Sequence, residues 1–267
     1  MENIFSIAEY CLHHVDIEKK IDSTHHAWEL LKSDQLSFES LDSVSPISIV
    51  KFPDKPKLLK PRDMPRRRIN SLAGKTAFFH ALAHIEFVAI YLAWDIIYRF
   101  RGLPNKFYHD WLRVADEEAQ HFTLINHHLL EMGMVYGDLP AHSGLWEHAE
   151  DTQMDILARL AIVPRCMEAR GLDITPQMIE KFKIKGDNES VILLSRILKD
   201  EVGHVKIGSH WFKIFCQQRE LNHEDKYKEL IAKFYIGNPK GPFNRELRII
   251  AGFSDSEIDW LEKREHE

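Results

Sequence analysis

Apolar residues recur at three- and four-residue spacing along most of this chain, and that period predicts helices. Ile4, Ile7, Ala8, Cys11 and Leu12, followed by Ala27, Trp28, Leu30 and Leu31, mark one or two amphipathic helices within residues 1–44. The pattern then breaks. Pro46, Pro53, Pro56, Pro61 and Pro65 exclude a long helix and predict an extended segment laid over the surface. Four long helical stretches follow: 71–101, stopped by Gly102-Leu103-Pro104; 104–133; 151–170, ended by Gly171; and 188–220. The first two share a short connection and so should lie antiparallel. Residues 136–151, with Gly137, Pro140 and Gly144, read as a longer crossover. Thr175-Pro176 reads as an N-cap and first helical residue, opening a short extra helix to Lys185. Shorter helical pieces near 223–236, 244–252 and 255–265 are separated by Gly237-Asn238-Pro239 and Gly241-Pro242. Alternating strand-type runs are scarce. The expected fold is all-α, with a four-helix core over 70–220, N-terminal helices and a wrap over 1–69, and a C-terminal helical extension over 221–267.

The faces that should point inward carry an anomaly. On the first long helix the stripe is Phe79, Ala83, Glu86, Ile90, Ala93 and Ile97; on the second it is Trp111, Val114, Glu118, His121, Ile125 and Leu129. The third gives Leu157, Ala161, Pro164, Glu168 and Leu172. The fourth gives Leu194, Ile197, Glu201, His204, Gly208, Trp211 and Phe215. Each stripe is apolar except at its middle, where a glutamate intrudes, and on two helices a histidine follows three residues later. A buried carboxylate is costly unless neutralised, and four at one level would repel one another. Two divalent cations would compensate them, with the carboxylates bridging or terminal and one imidazole completing each metal's shell. One glutamate from each of two helices plus Glu-x-x-His from each of the other two is the ligand set of ferritin-like di-iron four-helix bundles. The expected metal ligands are therefore Glu86, Glu118, His121, Glu168, Glu201 and His204.

A single Glu-x-x-His is weak, since roughly one or two are expected by chance in such a chain. Glu220 and His223 form such a pair near a helix end and read as accidental. Spacing is the stronger argument. Glu86 to Glu118 is 32 residues and Glu168 to Glu201 is 33. Across a helical hairpin each arm is then roughly 21 Å long, so paired glutamates meet at one height. The halves repeat with offsets of 82 from Glu86 to Glu168 and 83 from Glu118 to Glu201 and from His121 to His204. Glu117 and Asp200 directly precede two ligands and could orient an imidazole of the opposite half; exposed helix charges are the plain alternative. His80 and His84 lie off the stripe and read as surface or satisfied core histidines. Arg165 and Arg170 bracket Glu168 and could pair with carboxylates at the site's edge; ordinary salt bridges are the plainer reading. Pro164 removes a backbone hydrogen bond near Glu168 and predicts a kink. Tyr91, Tyr98 and Tyr108 are redox candidates that read first as packing residues.

The 267 residues are 44% hydrophobic, enough for a substantial core. No uninterrupted apolar run reaches about 18 residues, which argues against a membrane span. The N-terminal residues carry early acids and histidines, unlike a secretory signal. Cys11, Cys166 and Cys216 are odd in number, far apart and form no CxxC pair, so reduced thiols in a cytoplasmic protein are expected. The net charge of −6 gives no general nucleic-acid footprint. Residues 51–68 are the local exception, with basic side chains ending in Arg66, Arg67 and Arg68, a candidate anion-binding run for phosphate groups or RNA. A solvated wrap is the plainer reading.

Several stretches go beyond ligand spacing: His84-Ile85-Glu86; Glu117-Glu118-Ala119-Gln120-His121-Phe122; Pro164-Arg165 leading into Glu168-Ala169-Arg170-Gly171-Leu172-Asp173; and Asp200-Glu201-Val202-Gly203-His204-Val205 with Trp211-Phe212 after it. Together with Lys60-Pro61-Arg62-Asp63 they resemble a bacterial ferritin-like family catalogued as domain of unknown function 455, over most of the chain. The resemblance implies a ferritin-like fold with a di-iron site at the six positions and names no substrate. The expected function is an oxidoreductase using oxygen or peroxide at two iron ions, or manganese or a mixed pair, on an unidentified small molecule or a modified RNA. No rubredoxin-type site is encoded, so an external electron donor is expected. The alternatives are a non-catalytic metal-binding or storage protein, and an RNA-binding helical protein resting only on residues 51–68.

Overall fold

The computed structural model describes residues 1–40, 43–60, 63–65, 69–235 and 239–264. These residues are mostly helical, and the chain gathers into two compact units, Met1–Glu150 and Asp151–Glu267. Four two-residue strands, the only ones among the described residues, pair parallel in twos: β1 (Glu2–Asn3) with β2 (Leu36–Ser37), and β3 (Leu58–Leu59) with β4 (Ala141–His142).

In the first unit the helices are α1 (Ile4–His13), α2 (Ile17–Lys32), α3 (Leu72–Arg99), α4 (Asn105–Glu131) and the short α5 (Gly144–Asp151). Side-chain oxygens cap their starts: Asn3 accepts from the Phe5 and Ser6 amides, Asp16 from Lys19, and Ser71 from Gly74. Helices α3 and α4 form the central hairpin, with α1 packed on α3 and α2 on α4. At the hairpin turn Gly102 takes φ +71°, a left-handed conformation that favours glycine. The Tyr108 hydroxyl ties that turn, donating to the Phe100 carbonyl and accepting from the Leu103 amide. Helix α3 is long and apolar enough to cross a membrane by length and composition, but 72% of its most apolar stretch is buried inside the fold. Its apolar excess thus comes from being covered by protein.

The described residues of the proline-rich segment form no long helix, as its prolines predict, and include a 3-10 turn at Ile47–Ile49. It is fastened to the first unit by the Lys51 amide donating to Leu12, by Tyr91 Oη donating to the Lys51 carbonyl, and by Phe52 stacked on Tyr91 at 4.4 Å. Arg66, Arg67 and Arg68 lie outside the described residues.

In the second unit, α6 (Ile156–Ile162) runs into a π-helical segment (Val163–Glu168) and then α7 (Ala169–Ile184), which returns along α8 (Asn188–Gln218). Three short helices follow: α9 (His223–Phe234), α10 (Arg245–Ile250) and α11 (Asp255–Arg264). Two expectations are corrected here. The helix expected over 151–170 begins only at Ile156, capped by the Asp155 carboxylate, and α5 occupies part of the expected crossover. Nor does a helix end at Gly171 and restart at Thr175-Pro176: α7 runs unbroken through both. Buried Leu172, Asp173, Met178 and Phe182 hold that helix in place, and tertiary packing outweighs the local cost of glycine and proline.

Candidate metal centre

The first unit gathers three of the expected ligands. Helix α3 brings Glu86, and α4 brings Glu118 and His121 one turn apart on one face. All three are essentially out of solvent, at 3%, 1% and 1% exposure. His121 Nδ1 stands 3.3 Å from Glu86 Oε2 and 3.5 Å from Glu118 Oε2. One donor atom from each of the three falls within 4.8 Å of the others. Burial, reinforced by the neighbouring Glu118 charge, holds the Glu86 carboxyl well above the usual carboxylate range, while the hydrogen bond to His121 pulls it down. Two carboxylates and one imidazole, gathered away from water, are oxygen and nitrogen donors that a divalent cation would stabilise in ionised form, so this donor set fits a metal.

The second unit holds the other three. Helix α8 carries Glu201, with a side chain 12% exposed, and His204, fully buried, with His204 Nδ1 3.4 Å from Glu201 Oε1. Glu168 is the last residue of the π segment, which packs against α8. The π geometry is visible where the Ala169 amide donates to the Pro164 carbonyl five residues back. The expected disturbance at Pro164 is thus a π segment that changes the direction of Glu168 relative to an uninterrupted α-helix. Gly208 on α8 permits it: a Cβ there would sit 2.5 Å from the Pro164 Cβ and Cγ.

Most of the remaining candidates make hydrogen bonds of their own. Glu117 is half-buried and accepts from Arg113 Nε at 2.8 Å, while Asp200 is half-buried on α8. His80 and His84 are satisfied core histidines. His80 Nε2 accepts from the Gly137 amide. His84 bonds Tyr136 Oη through Nδ1 and the His142 carbonyl through Nε2, which makes Nε2 the protonated nitrogen and Tyr136 the donor. Burial lowers its pKa to about 4, so it is neutral at ordinary pH. Tyr98 Oη donates to Glu9, and with Tyr91 and Tyr108 it serves as a tether between helices and loops. Glu220 adopts φ +55° just beyond α8 while His223 opens α9, so their Glu-x-x-His spacing is not on one helix. The three cysteines are free and buried.

Arg165 and Arg170 are salt-bridge partners as expected, but sequence reasoning missed the residues they pair with and the Arg248 pair altogether. Arg165 Nη2 donates to both oxygens of Glu257 at 2.8 and 2.9 Å, with both residues fully buried. Arg248 donates through Nε and Nη2 to Asp173 at 2.9 and 2.7 Å. These partners are 92 and 75 residues apart, and no local pattern announces them.

No solved structure matches this chain. A protein of Haemophilus influenzae described as "Uncharacterized protein" is 46% identical over 221 residues, covering 80% of this chain and 77% of that one. A family model described as "Protein of unknown function (DUF455)" matches residues 13–259. A match over that length, which is most of the chain, shows that the chain belongs to the DUF455 family.

Proposed function

We propose that the protein is a ferritin-like, cytoplasmic di-metal protein, with iron as the preferred metal, that acts as an oxidoreductase with oxygen or peroxide. The observation that carries this reading is the buried Glu86, Glu118 and His121 triad, whose sequence counterpart is Glu168, Glu201 and His204 at offsets of 82 and 83 residues. In this reading the two triads are halves of one centre in a four-helix bundle, each supplying one imidazole and two carboxylates. Bound iron would supply redox chemistry and Lewis acidity toward the oxidant. The chain's part is to hold the donors in register, keep bulk water away from the triad, and let Glu86 exchange a proton for a metal as the centre fills. The substrate is a small molecule or a modified RNA, and electrons come from a separate donor.

Protein from iron-supplemented cells should carry about two metal ions per chain. Glu118→Ala and Glu201→Ala should each lower that content sharply while leaving the helical circular dichroism in place. Absence of stoichiometric metal in the parent protein would refute the proposal. With metal present, oxygen uptake by the reduced protein separates an oxidase from a passive binder; no uptake favours metal binding without catalysis.

A further inference from the structure

We propose that a cavity of about 200 Å³ in the second unit, lined by Cys166, Arg170, Tyr227, Lys240, Phe243 and Arg248, binds a small organic oxyanion, a carboxylate or a phosphate. The reading is independent of metal binding.

Arg248 is the anchor. It is 2% exposed, and two of its three nitrogens are engaged by Asp173, while Nη1 is buried without a hydrogen-bond partner. A buried guanidinium N–H left without an acceptor is costly, because water is lost and nothing replaces it. An oxyanion in the cavity would supply the acceptor.

Charge points the same way. Arg170, Lys240 and Arg248 line the cavity, and the two arginines share the Asp173 carboxylate, which takes the two bonds from Arg248, a 3.5 Å contact from Arg170 and the Asn244 amide at 2.8 Å. Arg170 is otherwise occupied by the Gly241 and Pro242 carbonyls. Three cations around one carboxylate leave an excess of two positive charges. None of the remaining ionisable lining groups corrects it: burial pushes the Cys166 thiol up to about 12 and also raises the Tyr227 and Tyr235 phenols. Arg165, the next cation along the π segment, is already matched by Glu257.

Size and walls restrict the ligand. Such a volume equals roughly six or seven waters, enough for a single ring or a short chain with a charged head. Tyr227 and Phe243 present flat faces, and the Tyr227 hydroxyl is committed to the Arg165 carbonyl. The oxyanion head would then meet Arg248 Nη1 and Lys240, with an apolar body against the two rings.

Titration calorimetry of the full chain at constant ionic strength, with inorganic phosphate and with benzoate as probes, tests this. Saturable binding of one ion per chain at or below about 50 mM supports the proposal, and the stronger probe identifies the class as phosphoryl or carboxylate. Lys240→Glu should weaken either probe by about ten-fold or more, whereas Lys32→Glu on α2 should not. Phe243→Ala should weaken benzoate and leave phosphate unchanged. No saturation by either probe, or equal binding in the parent and Lys240→Glu proteins, would overturn the proposal. Because Lys240 is exposed, its substitution leaves the fold intact.

Discussion

Lys20 lies fully buried on α2 with its Nζ 3.9 Å from the centre of the Tyr91 ring and without a hydrogen-bond partner. Cation–π attraction offsets part of the desolvation cost, but burial still lowers the ammonium to about 8. An unfolded lysine keeps its proton to about pH 10.4, so between roughly pH 8 and 10 the unfolded chain binds more protons and stability rises with pH. Lys20→Met should therefore stabilise the protein by about 1–3 kcal/mol near neutrality and flatten that rise. Urea unfolding of both proteins at neutral and alkaline pH measures both effects. A Met variant less stable at neutral pH would show that Lys20 has a role beyond packing. At the same scale, Glu86 and His121 were legible in the sequence because each interrupts an apolar stripe. Lys20 was not, because one lysine among helix-forming neighbours looks like a solvated charge until α1 and α3 cover it.

Among the elements, the π segment is the most informative. A proline and a glycine on separate helices meet there, and each permits the other: Pro164 at the start of the segment, Gly208 with no room for a Cβ. Gly208→Ala should destabilise the protein by about 1–3 kcal/mol, because the added methyl overlaps the pyrrolidine ring. Pro164→Ala removes most of that ring, so Gly208→Ala should cost markedly less in a Pro164→Ala background. The double-mutant cycle in thermal unfolding reads the coupling, and simple additivity would place the strain elsewhere. Sequence periodicity found α3, α4 and α8 within a few residues, since each is long and punctuated by caps or glycine. It failed around Gly171 and Pro176, where local breakers argue for an end and packing against α8 argues for continuation.

On the scale of the molecule, each unit has its own core and its own triad of expected ligands. The C-terminal helices belong to the second core through Glu257, whose partner Arg165 sits on the π segment beside Phe212, Tyr227 and Phe253. Glu257→Gln should leave a buried guanidinium uncompensated and cost about 3–5 kcal/mol. Hydrogen exchange should show lost protection in α9, α11 and the π segment, and unchanged protection there would assign the clamp little weight. Helix content, the proline-rich wrap and the six candidate ligands followed from residue type and spacing, because a helix's period places each residue on a definite face. The ion pairs Arg165–Glu257 and Arg248–Asp173, the π turn that carries Glu168 and the cationic cavity beside it are products of tertiary structure alone. They join residues far apart in the chain, and no short-range period records which distant side chains will share a desolvated space.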